Sequence, residues 1–130
     1  MIQAMFDHVT VTVRDFAKAK AFYNAALAPL GIKSLAGDNK THCGFGVERP
    51  CFWIALPDSP SSASGSVHIA FAGIGKKQVD AFYSAAIAVG AKDNGAPGYH
   101  REYGAGYYAA FVFDLDGNNI ETVYRDPAAR

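Results

Sequence analysis

Cysteine is scarce in this 130-residue chain. Cys43 and Cys51 are its only two, and they flank a turn at Glu48-Arg49-Pro50 without the C-x-x-C spacing of a redox or zinc site. They read as reduced, buried thiols. Long apolar runs are missing as well: nothing approaches the about eighteen consecutive apolar residues of a membrane helix. The opening MIQAMFDHV has neither the basic nor the apolar segment of a secretory leader. An excess of one charge is also absent, with twelve Lys and Arg against twelve Asp and Glu and no basic run. Nucleic acid and anionic membrane are therefore excluded as partners, and a soluble, cytoplasmic protein is expected.

Aromatic residues, by contrast, are abundant. One Trp, seven Tyr and nine Phe are many for this length, and six of the tyrosines follow residue 82. Aromatics in such number fill a core and wall small-molecule cavities.

The chain repeats itself. DHVTVTVRDFAKAKAFYNAAL, from Asp7 to Leu27, has a diverged copy between Val67 and Ile87 at a constant offset of sixty residues. His8 falls on His68, Phe22 on Phe82, Tyr23 on Tyr83 and Leu27 on Ile87. A period of this size marks a duplicated structural unit. The chain is therefore one domain, residues 1–130, made of two modules at about 1–57 and 66–130, joined by the Ser/Pro-rich linker 58–65.

Each module reads as strand, helix, then three strands. In His8–Val13, alternation puts Val9, Val11 and Val13 on one face and His8, Thr10 and Thr12 on the other. Asp15 is an N-cap for a helix ending by Leu30, with Gly31 as its C′ residue. Strands follow at Ile32–Leu35, His42–Val47 and Cys51–Leu56. The second module restarts at Val67–Ala72 with the same parity, continues as a helix from Lys76 to Val89, and passes through an irregular strand or loop over Asn94–Gly106. Tyr107–Phe113 and Asn119–Tyr124 are its last strands, around Asp116-Gly117. The predicted fold is α+β: two βαβββ modules forming a curved mixed sheet around a cup, with the helices on the outer face.

The residues opposite the helix-packing set are His8, Thr10, Thr12, His68 and, on the last strand, Glu121. Two imidazoles and one carboxylate aimed into one cup suit a divalent ion such as Fe, Mn, Zn or Ni that keeps open positions for substrate. Glu121 is a ligand first and a catalytic base second. A metal-free protein that sequesters a small molecule in the same cup is the alternative.

Three segments carry a resemblance: DHVTVTVRDFAKAKAFYNAALAPLGI at the start, HIAF opening the second half, and FVFDLDGNNIETV at the end. They resemble the vicinal oxygen chelate superfamily, which includes glyoxalase I, the fosfomycin-resistance thiol transferases, the extradiol dioxygenases and the bleomycin-resistance proteins. The resemblance implies paired βαβββ modules, metal ligands at His8, His68 and Glu121, and a homodimer whose sites draw on modules of one or two chains. It implies a lyase, isomerase, transferase or dioxygenase reaction on a small substrate. Glyoxalase I adds a carboxylate from the last strand of module one, and Cys51–Leu56 has none. Thr10 resembles the substrate-contacting threonine of the fosfomycin enzymes, but the segment from Lys92 to Gly106 lacks their serine-bearing loop.

Trp53, Arg101, Tyr103 and Tyr108 complete the substrate-contact candidates. For the last, turn length decides. A two-residue turn at Asp116-Gly117 pairs Val112 with Glu121 and puts Tyr108 in the cup, whereas a three-residue turn puts Tyr107 there. Tyr108 is the expectation.

Overall fold

The computed structural model describes residues 6–57 and 67–129. The linker expected at 58–65 lies outside the described residues. Module one runs β1 (Val9–Thr12), α1 (Phe16–Leu27), β2 (Lys33–Ala36), β3 (His42–Gly46) and β4 (Phe52–Ala55). Module two runs β5 (His68–Ala72), α2 (Lys76–Ala88), β6 (Lys92–Tyr99), β7 (Tyr107–Phe113) and β8 (Asn119–Arg125). The two units have the same strand order, β1-β4-β3-β2 and β5-β8-β7-β6. In each, the first strand lies parallel to the last and the other pairings are antiparallel.

Local chemistry explains the element ends. The Asp15 side chain accepts the Lys18 amide at 3.1 Å, closing the first turn of α1. The helix tightens into a 3-10 turn at Ala28–Leu30, where Pro29 permits no further α-helical hydrogen bonding, and Gly31 stops it at φ 76°. The segment expected to be irregular is strand as far as Tyr99, broken by register shifts at Gly95 and Gly98 and followed by a 3-10 turn at Arg101–Tyr103. Cys43 is buried as expected, but Cys51 is exposed, because it precedes β4 rather than pointing into it.

The two modules share one core. Phe22, Phe45 and Ile54 from the first pack in the same cluster as Phe82, Val112 and Ile120 from the second. Helix α1 packs against α2, and Phe52 meets Phe71 edge-on at 5.1 Å across the module boundary. Tyr23 also reaches across, donating to the buried Asp114 carboxylate at 2.5 Å. A buried carboxylate requires such partners, and Asp114 also accepts from the amides of Asp116 and Asn118. No ladder joins β1 to β5 among the described residues, so the curved sheet is in two halves. The helix-covered faces supply the core, and the opposite faces carry the candidate site residues.

Candidate active site

On β8, alternation turns Asn119, Glu121 and Arg125 to the face away from α2, where they line a cavity of about 660 Å³. The parallel pairing of β5 with β8 sets Ala70 opposite Glu121 and His68 opposite Asn119. His68 is therefore the diagonal neighbour of Glu121 on the same face, and its Nε2 lies 2.8 Å from Glu121 Oε1. Tyr107, from β7, donates its hydroxyl to the other carboxylate oxygen. Both oxygens of a side chain only 1% exposed are thus engaged.

Tyr107 is held as a neutral phenol. Burial is the main cause, reinforced by the hydrogen bond to Glu121 and by the carboxylate's charge, and together they push the phenol up to about 12. Around it, aromatic rings form a continuous wall. Tyr103 meets Tyr107 edge-on at 5.3 Å, His100 stacks on Tyr103 at 5.9 Å, and Phe111 lies against both His100 and His68.

The hairpin between β7 and β8 corrects the expectation for Tyr108. The closing pair is Asp114 and Asn118, whose amide and carbonyl bond at 2.9 Å, leaving the three-residue loop Leu115-Asp116-Gly117. Gly117 alone takes a positive φ, 84°, whereas a two-residue primed turn of type I′ needs two such residues. Phe111 rather than Val112 therefore pairs with Glu121. Tyr107 takes the cavity face, and Tyr108 points to the helix side, where its hydroxyl donates to Asp80 of α2 at 2.7 Å.

His8 does not join His68 and Glu121. Among the described residues no group of three His, Cys, Asp or Glu side chains is placed to hold one ion. His8 is 56% exposed, and its Nδ1 bonds Asp7 Oδ1 at 2.8 Å. Arg49 steadies Asp7 in turn, through the Asp7 carbonyl at 2.9 Å. That contact engages Nδ1, while Nε2 makes no hydrogen bond among the described residues; a carboxylate on the second ring nitrogen is also how a metal-binding histidine is commonly held. His8 and His68 both line a groove of about 440 Å³ along the β1 and β5 edges.

The remaining candidates separate. Thr10 and Trp53 are ladder partners and lie on the His8 face of module one. Trp53 stacks on His42 at 5.9 Å over Gly44, where a Cβ would come within 2.7 Å of the indole. By the parallel registers, Trp53 stands opposite Thr10 as Glu121 stands opposite Ala70, so it occupies in module one the place that Glu121 has in module two. Tyr103 lines the cavity, but Arg101 is exposed on the 3-10 turn and does not. The cation at the cavity is Arg125.

The donor set fits a small divalent cation in part. The imidazole nitrogen and the carboxylate oxygen are hydrogen-bonded at 2.8 Å, so an ion held by both at about 2.0–2.2 Å would replace the shared proton and spread the two atoms slightly apart. A third protein donor has to come from elsewhere.

Two βαβββ modules paired through one core define a class of duplicated α+β domains. The profile of the Glyoxalase/Bleomycin resistance protein/Dioxygenase superfamily matches residues 5–122, and the chain belongs to that superfamily. A glyoxalase/bleomycin resistance protein from Albidiferax ferrireducens is 31% identical, with a TM-score of 0.80 over 94% of this chain and 99% of that one. At 20% identity and a TM-score of 0.65, the fold is shared with the fosfomycin resistance protein FosX from Listeria monocytogenes, over 95% of this chain and 90% of that one. That structure is of a mutant FosX complexed with Mn(II) and 1S,2S-dihydroxypropylphosphonic acid. A lactoylglutathione lyase from Agrobacterium tumefaciens has 17% identity and a TM-score of 0.67, covering 95% of each chain. No curated protein matches the sequence.

Proposed function

We propose that this chain is a glyoxalase-like metalloenzyme acting as a homodimer. His68 and Glu121 of one chain and His8 of the second copy would hold one divalent ion, of Fe, Mn, Zn or Ni. The observation that carries this reading is the pair His68–Glu121, with Glu121 buried on an open face, while His8 on the other module has no hydrogen bond at Nε2 among the described residues. When bound, the ion supplies a Lewis acid for two vicinal oxygens of a small substrate, in a lyase, isomerase, transferase or dioxygenase reaction. The chain's own residues do the rest. Asp7 orients His8, and Tyr107 holds Glu121 by one oxygen. A phenol pushed up to about 12 stays protonated at neutral pH, so Tyr107 serves as a donor and not as a base. Glu121 is the carboxylate left to accept a substrate proton. Thr10 and Trp53 would form the facing wall, contributed with His8 by the second chain.

Metal analysis of untagged protein is the test: about one ion per chain is expected, falling to none in His68→Ala and in Glu121→Gln. Wild-type protein without a stoichiometric ion under metal-replete purification would sink the proposal. The second reading is a metal-free binding protein, favoured by the fact that His68 and Tyr107 already satisfy Glu121. It predicts undiminished ligand binding in chelator-treated protein.

A further inference from the structure

The segment 100–106 joins β6 to β7 and carries two rings of the cavity wall, His100 and Tyr103. Its own hydrogen bonds run within the β6–β7 hairpin: the His100 amide donates to the Tyr107 carbonyl at 2.8 Å, and the Tyr103 and Gly104 amides return to the His100 and Arg101 carbonyls. Arg101, Glu102 and Tyr103 are all exposed, so burial does little to hold the turn in place. Both ends of the segment meet Asp126, the residue after β8. Its backbone amide donates to the Gly106 carbonyl at 2.7 Å, and its Oδ2 accepts the Tyr99 hydroxyl at 2.8 Å. The carboxylate is itself fixed, because Oδ1 accepts the Ala128 amide at 2.9 Å. At Gly106 the approach is so close that a Cβ would collide with the Asp126 carbonyl, and φ is 80°.

Neither Tyr99 nor Asp126 lines the cavity. Tyr99 is the ladder partner of Tyr108, meets its ring edge-on at 5.1 Å, and shares the helix side of the sheet with it. Lys76, in the first turn of α2, donates to the Tyr99 hydroxyl at 3.2 Å and lies over both rings, at 5.4 and 5.7 Å. One residue further along the chain, His100 is on the cavity, stacked on Tyr103 and edge-on to Phe111. We propose that Tyr99 and Asp126 are positioning residues of the site: their charge-assisted bond clasps the 100–106 segment and sets where the His100–Tyr103 wall stands. The clasp works on the opposite side of the sheet from the cavity. It goes beyond the metal proposal and holds equally for a metal-free cavity.

Carbethoxylation of histidines by diethyl pyrocarbonate, mapped by mass spectrometry on the full chain, tests this. The His100 side chain is 26% exposed and that of His42, in module one, 46%. The rate at His100 relative to His42 therefore follows the wall, while global unfolding raises both rates together. Tyr99→Phe, which keeps the ring and deletes one oxygen, and Asp126→Ala should each raise that ratio about two- to fourfold, the range a quarter-exposed ring gains by becoming exposed. Tyr83→Phe is the matched control. It removes a comparable bond in the same module, from the Tyr83 hydroxyl to Asp93 at 3.0 Å, and should leave the ratio at the wild-type value. An unchanged ratio in Tyr99→Phe overturns the proposal, and so does an equal rise in Tyr83→Phe, which would mean general loosening of module two. Should Asp126→Ala fail to fold, Tyr99→Phe decides alone.

Discussion

Glu121 carries a carboxylate where water scarcely reaches, and it stays there because each oxygen has its own donor. Tyr107 is the less exchangeable of the two, since its proton is held far more firmly than an ordinary phenol's. The folded state keeps that proton to about pH 12, whereas an unfolded chain releases it from about pH 10. The stabilisation is therefore complete below about pH 10 and is lost as pH rises through about 12. Tyr107→Phe should lower stability at pH 8 by about 1.5–3 kcal/mol, the worth of a hydrogen bond to a charged group. It should also flatten the alkaline fall, which urea titrations at pH 8 and at pH 11 would measure. Tyr23, Tyr83 and Tyr108 are raised in the same direction, so the fall should be reduced and not abolished.

The element that decides which tyrosine serves Glu121 is the β7–β8 hairpin, and a single backbone angle decides the hairpin. Gly117 sits at φ 84° with open space where a Cβ would go. Gly117→Ala should therefore cost only the left-handed backbone penalty, about 1–2 kcal/mol, read as a lowered urea midpoint with the spectrum of the folded state unchanged. Period-two alternation made the faces legible: Val11 in and Thr10 out, Ile120 in and Glu121 out, followed from residue order alone. The same alternation put Arg125 on the Glu121 face, but nothing in the irregular stretch around Arg101 told the two arginines apart. Asp-Gly announced a turn without announcing its length, and that missing residue exchanged Tyr107 for Tyr108. The role of Asp7 beside His8 was invisible because it lies in side-chain geometry, which residue type does not encode. The separation of His8 from Glu121 was equally hidden, since strand period fixes a side chain's face and says nothing about how two modules pack.

At the scale of the molecule, that packing governs stoichiometry. The modules share one core through α1, α2 and the Phe52–Phe71 contact, while no strand pairing closes their open faces into one cup among the described residues. If a second copy supplies His8, inactive variants should rescue one another. Mixing His8→Ala with His68→Ala under subunit exchange should restore ion binding at about a quarter of all sites, because about half the dimers are mixed and each has one intact site. A site within one chain predicts no restoration, and sedimentation of the wild type at micromolar concentration should give the mass of two chains.

Trp53 is the only tryptophan in the chain, and it lies on the open face of module one, its indole spread across Gly44 and stacked on His42. Light at the red edge of the protein's ultraviolet absorption is therefore taken up at one address on its concave surface. The emission colour of the unlabelled chain reports how wet that surface is, and with it whether another surface has come to lie upon it.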